Sequence, residues 1–401
     1  MFTKDKLKEI ILSQKDNLNL LNEGILRNEE IKISESFANI ITGIRRCGKS
    51  TFLMQILNNQ KISYYLNLED PRLEGFELSD FNKIEELMYE IYGSKGVFFF
   101  DEIQNIPKWE KFIRYLIDKK QKVVLTGSNA SMLSKELGTK LTGRHIQKEM
   151  FPFSFDEYLK LKKQKPNLKS FEDYFIKGGF PEYLKTQNSE ILNQLLSDIL
   201  YKDIVVRFNL KSNATLNKLA LYLISNVGKE FSYNSIKTMF EIKSVQTVID
   251  YIHYMENTYL IFTIPYFSYS YKKQQVSAKK VYSIDNGFSS VNSISFSKDQ
   301  GRMLENMVFL HLRKTHKDIF YFKEKNECDF LIKENEKIIQ AVQSCFKITD
   351  ENKEREINGL VEALNQFKLK KGSIVTFDQE DLLKFEDKTI ELIPIWKFLS
   401  L

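Results

Sequence analysis

Cysteine is scarce in this 401-residue chain: Cys47, Cys328 and Cys345 are odd in number and widely spaced. That excludes a disulfide framework, offers no paired spacing for a zinc site, and fits a reducing compartment. Long apolar runs are also lacking. None approaches the roughly 20 residues of a membrane-spanning helix. The opening Met1-Phe2-Thr3-Lys4-Asp5-Lys6 has no signal-peptide apolar core. The expectation is a soluble, cytoplasmic protein with no membrane partner. Internal repeats and low-complexity segments are absent. No strong excess of either charge exists: formal net charge is +6 and the pI about 8.8. This mildly basic balance is compatible with nucleic acid without pointing to it.

What is present is an ordinary globular composition, 42% hydrophobic and 28% charged, at a length suited to several domains. Its most informative stretch is Gly43-Ile44-Arg45-Arg46-Cys47-Gly48-Lys49-Ser50, which matches the phosphate-loop pattern G-x-x-x-x-G-K-[ST]. Ile40-Ile41-Thr42 before it reads as a buried strand end. After it, residues 51–57 read as a helix with Phe52, Leu53, Ile56 and Leu57 on one face. This strand–loop–helix context argues against a chance match. Two glycines let the backbone N–H groups of Gly43 to Thr51 turn inward, and the helix N-terminus adds a positive dipole end. Lys49 can then reach β- and γ-phosphates and Ser50 can hold Mg²⁺. The implied cofactors are ATP and Mg²⁺. Cys47 is more simply a bystander in the loop.

The following pattern supplies the rest of an α/β nucleotide site. Residues 63–68 form a strand signal ending in the polar Glu69-Asp70-Pro71-Arg72. Residues 81–92 are helical. Gly96-Val97-Phe98-Phe99-Phe100-Asp101-Glu102 is a fully apolar strand that ends in two carboxylates. Asp101 can stand beside Ser50 as a metal-shell group, and Glu102 can polarise a water toward the γ-phosphate. Residues 122–129 form another buried strand with a polar tip. Asn129 is the first candidate there for a group that senses the γ-phosphate, and Ser128 the second; a plain turn or helix cap is the alternative. A helix over 131–141 leads to Arg144, a candidate arginine finger supplied by a neighbouring subunit, with a surface arginine as the alternative.

The segments TGIRRCGKST, NLEDPRL, FFDEIQNIPKWEKFIRYL, LTGSNASMLSKELGTKLTGR and FPFSFDEYL, all within the first 160 residues, resemble the bacterial and archaeal AAA-type ATPases paired with a C-terminal domain of unknown function, the AAA_14/DUF4143 group. The resemblance implies an AAA+ fold, ATP with Mg²⁺, and assembly into a homo-oligomer or ring. It carries over Lys49 as loop lysine, Ser50 as metal ligand, Asp101 as metal-shell aspartate and Glu102 as catalytic glutamate. It implies no biological substrate.

The expected organisation is a P-loop AAA+ core over 1–154, a helical lid over 155–212, a winged helix-turn-helix over 213–290 and a nuclease-like α/β domain over 291–401. Gly178-Gly179-Phe180-Pro181 breaks the helical pattern as a hinge or an ordinary interhelix loop. Three helical stretches (215–225, 232–241, 244–257), then two strand-like runs flanking a basic, aromatic segment, give the winged-helix pattern. There Lys272, Lys273, Lys279 and Lys280 are candidate DNA-phosphate contacts. The last hundred residues resemble the PD-(D/E)xK nuclease-like core. Glu305 and Asp329 fit its first two acidic places, but Gln340 and Val342 stand where Glu and Lys are expected. So few charges would bind a hard cation poorly, so the domain is expected to be inactive unless Gln343 or Lys347 compensates. The function expected is Mg²⁺-dependent ATP hydrolysis driving a conformational change that acts on DNA. The alternatives are an ATP-dependent DNA nuclease and a nucleotide-switched protein scaffold.

Overall fold

The computed structural model describes residues 2–20, 23–128, 143–210, 214–294, 299–385 and 387–400. The chain divides into two compact units, Met1–Phe151 and Pro152–Leu401. The first contains α1 (Lys4–Leu20), β1 (Ala38–Gly43), α2 (Lys49–Asn58), β2 (Ser63–Asn67), α3 (Phe81–Tyr92), β3 (Val97–Asp101), α4 (Trp109–Asp118), β4 (Lys122–Gly127) and β5 (His145–Met150). All five strands are parallel, in the order β2-β3-β4-β1-β5. Parallel strands need helical crossovers, so both faces of the sheet are covered. Every residue of β1 and β3 is accordingly buried. Phe81 of α3 stacks on Phe112 of α4 at 4.3 Å, and the edge of Phe100 meets both rings. This aromatic packing fixes β3 from one side, while α2 packs against β1, β3 and β4. The topology brings the C-terminal ends of β1, β3 and β4 to one edge, with β4 between the other two. Such an edge is where open α/β sheets bind ligands.

The second unit begins with α5 (Phe155–Lys162), α6 (Leu168–Lys177), α7 (Pro181–Thr186) and α8 (Glu190–Asp198), the last continuing as a π-helical stretch over Ile199–Val206. Then come α9 (Ala214–Ser225), β6 (Glu230–Phe231), α10 (Tyr233–Met239), α11 (Val245–Asn257), β7 (Ile261–Pro265), α12 (Tyr271–Val276) and β8 (Lys279–Ser283). Strands β6, β8 and β7 form an antiparallel sheet with β8 in the centre. Helices α13 (Asn286–Asn292) and α14 (Gln300–Thr315) lead into β9 (Ile319–Lys323), β10 (Glu327–Glu334), β11 (Lys337–Ser344), α15 (Lys353–Gln366), β12 (Lys371–Thr376), β13 (Asp381–Phe385), β14 (Lys388–Pro394) and α16 (Ile395–Phe398). These six strands make a mixed sheet in the order β13-β14-β12-β11-β10-β9. Among the described residues no helix is long and apolar enough to cross a membrane.

Two local expectations change. Lys272 and Lys273 are exposed on α12, but Lys279 and Lys280 are buried, because β8 is the central strand and packs against α9 and α14. The four lysines therefore do not form one basic surface. The Gly178-Gly179 bend is pinned: the Gly179 N–H donates to Asp285 Oδ2 at 2.6 Å, and a Cβ on Gly178 would lie 2.0 Å from Asp285 Oδ1. Here glycine serves close backbone packing.

Candidate functional site

The loop between β1 and α2 owes its shape to its two glycines. Gly43 has φ 153°, and a Cβ there would lie 2.2 Å from Met150 O on neighbouring β5. Gly48 has φ 100° and caps α2. Between them Ile44 and Cys47 are buried, while Arg45 turns its guanidinium to Glu69 Oε1 at 3.4 Å. Burial pushes the Cys47 thiol pKa up, the direction of an unreactive sulfur. The first helical residue is Lys49. Its side chain is only 4% exposed; Nζ donates to Ile44 O at 3.2 Å and stands 3.8 Å from Glu102 Oε1.

The carboxylate pair at the end of β3 meets this loop. Asp101 is buried, and the hydroxyls of Thr126, Tyr65 and Ser50 all bond its side chain, Tyr65 at 3.4 Å. Burial raises the Asp101 pKa, and Glu102 next door adds to this, against the Thr126 and Ser50 hydrogen bonds and the Lys49 charge. Such a carboxylate gains from a further cation. Glu102 adopts φ 51°, a left-handed conformation rare for a residue with a side chain. Its N–H donates to Thr126 Oγ1 at 2.9 Å, so one hydroxyl on β4 fixes both acids. Gln104 Nε2 donates to Glu102 Oε2 and reaches Ser128 Oγ at 3.4 Å.

The structure therefore brings Lys49, Ser50, Asp101, Glu102 and Ser128 together. Asn129 lies outside the described residues. Arg144 is elsewhere: its carbonyl accepts from the N–H of Ala38, the first residue of β1, and its guanidinium pairs with Asp118 at 2.8 Å. The length of β1, about 16 Å by strand rise, separates that end of the sheet from the loop. Arg144 thus does not reach the loop of its own chain.

Four participants escape a motif reading. Thr126 and Gln104 align the acids, and Tyr65 supports Asp101. Arg27 is the fourth. Its guanidinium donates to Cys47 O at 3.1 Å and Phe151 O at 2.7 Å, and its backbone N–H is held by Gln55 Oε1. Gln55 on α2 also donates to Glu23 O and Ile25 O, so residues 23–27 are strapped beside the loop.

A second polar cluster lies in the other unit. Glu305 of α14 and Glu327 and Asp329 of β10 converge on Lys280 of β8, at the wall of a cavity of about 590 Å³. Motif spacing puts Gln340 in the third place, after Glu305 and Asp329. The structure instead puts Gln343 and Ser344 beside Asp329, and pairs Gln340 with Ile332.

The family of AAA domains matches residues 35–159. A domain of unknown function (DUF8612) matches residues 168–295 and another (DUF4143) residues 300–398. An uncharacterised protein of Methanocaldococcus jannaschii is 37% identical over 98% of this chain and 94% of its own. An uncharacterised protein of Haemophilus influenzae is 28% identical over 80% of this chain and 85% of its own. Among solved structures, AMPPCP-bound DnaA from Aquifex aeolicus aligns with 60% of this chain and 85% of its own at 15% identity, but its TM-score of 0.29 is too low to bear on fold or function. The AAA domain suggests nucleotide binding, and the near full-length relative covers the same succession of segments. The chain belongs to the AAA-type P-loop ATPases of the AAA_14/DUF4143 group.

Proposed function

We propose that this protein binds ATP with Mg²⁺ and hydrolyses it, using the cycle to rearrange its C-terminal segments. The observation that carries this is the meeting of Lys49, Ser50, Asp101 and Glu102 at one sheet edge. The glycine-turned loop would receive the phosphates on its backbone N–H groups, with Lys49 neutralising the β- and γ-oxygens. A buried carboxylate bonded to an exposed serine hydroxyl fits a hard, oxygen-seeking cation. Ser50 and Asp101 would therefore hold Mg²⁺, which supplies charge neutralisation on the phosphate oxygens. Glu102, aimed by Gln104 and its own left-handed backbone, would orient the attacking water. Asn129 would sense the γ-phosphate. Arg144 would act on the site of a neighbouring subunit in a ring, exchanging its Asp118 partner for phosphate.

The proposed division is a nucleotide core over 1–154, a lid over 155–212, a winged helix over 213–290 and a nuclease-like, inactive domain over 291–401. DNA is the proposed partner. Supporting this, α12 and its approach expose Lys272 and Lys273 beside Tyr269 and Tyr271, two tyrosines 82% and 73% exposed. Cations with exposed rings suit phosphate contact and base stacking. The same exposed rings also suit a protein partner, which supports the scaffold alternative.

The test is ATP turnover by purified protein, alone and with duplex, single-stranded and branched DNA. Turnover that disappears in Lys49→Ala supports the proposal. Equal turnover in that variant refutes it. Turnover near zero with every DNA form favours the scaffold.

A further inference from the structure

The cluster around Lys280 unites β8 of the small β6-β8-β7 sheet (the ribbon), helix α14 and strand β10 of the six-stranded sheet. Lys280 Nζ lies 2.9 Å from Glu305 Oε1, 2.6 Å from Glu327 Oε1 and 2.8 Å from Asp329 Oδ1, with its side chain 3% exposed. The carboxylates are otherwise well supplied with donors. Tyr282 OH bonds Glu305 at 2.7 Å, the Ser344 N–H and hydroxyl bond Asp329 at 2.9 and 3.0 Å, and Lys323 reaches Glu327 at 3.2 Å. Burial works to lower the Lys280 pKa, but Asp329 and Glu305 hold it well above the ordinary value.

We propose that the Lys280 ammonium holds the place a divalent cation would take among Glu305, Glu327 and Asp329, so that the docked ribbon closes this pocket to metal. Three observations support it. First, the three carboxylates come from two separate elements and turn oxygens toward one point, a geometry that only a shared cation stabilises. Second, these oxygens border the large cavity, so a cation reaching them from solvent meets Lys280 already there. An ammonium and a metal ion cannot share oxygens at hydrogen-bond range, because like charges so close repel strongly in a low-dielectric site. Third, the contact is part of a wider seam. Phe267 N–H donates to Tyr321 O at 2.8 Å, and Tyr321 OH donates to Ala278 O at 2.8 Å, which anchors both ends of the α12 segment to β9. Among the described residues no group of three or more His, Cys, Asp or Glu is arranged to hold a metal ion. The lysine therefore makes the cavity metal-independent and ties the ribbon to the α/β sheet in one interaction.

The test is Mn²⁺ binding to the full chain without nucleotide, read by electron paramagnetic resonance and by the Mn²⁺ dependence of the melting temperature. The outcome does not depend on whether ATP is hydrolysed. The parent is expected to show no Mn²⁺ site that Asp329→Asn removes. Lys280→Ala is expected to gain one such site, to melt lower than the parent, and to recover stability with Mn²⁺. Lys280→Ala/Asp329→Asn is expected to lose the gained site. If Lys280→Ala does not fold without metal, Lys280→Met, which fills the vacated volume and keeps all three carboxylates, is expected to fold with Mn²⁺ present and to hold it at a site that Asp329→Asn removes. An Asp329-dependent Mn²⁺ site in the parent overturns the proposal. So does a folded Lys280 variant that gains no site.

Discussion

The Lys49 ammonium stands 3.8 Å from the Glu102 carboxylate, both side chains largely shielded from water. The two residues stand more than fifty positions apart in the chain, and the parallel sheet brings them together. The proximity separates two roles that substitution can test. Lys49 is placed to meet phosphate charge already present in bound nucleotide. Glu102, held by Gln104, is placed to act on a water. Glu102→Gln is expected to keep nucleotide affinity while turnover falls by about 10²–10⁴, the usual contribution of a positioned base. Gln104→Ala is expected to lower turnover less, again with affinity kept. Fluorescent-nucleotide titration alongside single-turnover hydrolysis reads the split; a parallel loss of affinity in Glu102→Gln would contradict the assignment.

Thr126 gives a stability prediction in the same place. Its hydroxyl donates to Asp101 and accepts from the Glu102 N–H, and the residue is fully buried. Thr126→Val keeps the shape and removes both bonds. The expected loss is about 1–3 kcal/mol, the cost of leaving a buried polar group without its partner. Thr126→Ser is expected to recover most of it. Urea unfolding of the three proteins measures the difference, and equal midpoints would rule out the bridging role.

The site's local parts were visible in sequence because each depends on neighbours along the chain. The loop needs glycine at 43 and 48, and an unbroken apolar run at 97–100 can only be a covered strand. What stayed hidden depends on distant partners. Arg27 reaches carbonyls at Cys47 and Phe151, and no local period records that. Residues 6–27 mix Leu, Ile, Lys and Asn at helical spacing, yet residues 23–27 are not helical, and Gln55 holds them through their backbone groups. Adjacent lysines at 279 and 280 suggest a solvated face. Only knowing that β8 is a central strand puts them inside. The β10–β11 pairing shows the same limit. The motif spacing selects Gln340 and Val342, yet Gln340 stands opposite Ile332, and Gln343 is the side chain that meets Asp329.

Gly43 makes a sharper test of the loop than any charged residue. Its φ of 153° and the 2.2 Å separation of a built Cβ from Met150 O leave no room for alanine. The obstruction is backbone on the adjacent strand, which cannot rotate away. Gly43→Ala is expected to cost at least the roughly 1–3 kcal/mol of a strained backbone position, and to weaken nucleotide binding by tilting the loop. Gly75→Ala is a matched control. Gly75 has φ 81° but nothing within 4 Å of the built Cβ. A Gly43→Ala loss no greater than the control's would show that the Met150 contact does not matter.

Asp285 gives the second unit a pH dependence whose sign can be worked out. Burial raises its pKa from 3.8 to about 6, against hydrogen bonds from the N–H groups of Phe288, Gly179 and Gly287. Between those values the folded chain keeps a proton that the unfolded chain has released. Unfolding then releases a proton, so raising the pH favours the unfolded state. The stabilisation tied to protonated Asp285 is therefore full below pH 3.8 and is lost as pH rises through about 6. A shift of this size corresponds to about 3 kcal/mol as an order of magnitude. Asp285→Asn cannot titrate and keeps one acceptor oxygen, which can serve the Gly179 N–H on the Oδ2 side or the Phe288 N–H on the Oδ1 side, but not both. The difference in unfolding free energy between parent and variant, measured by urea from pH 4 to 7, is expected to slope across the acid half of that range and flatten above about 6. Slow exchange of the Gly179 N–H at pH 7 in both proteins would show that the amide oxygen takes the Oδ2 place in the variant, and would tie the slope to the proton and not to loss of the turn.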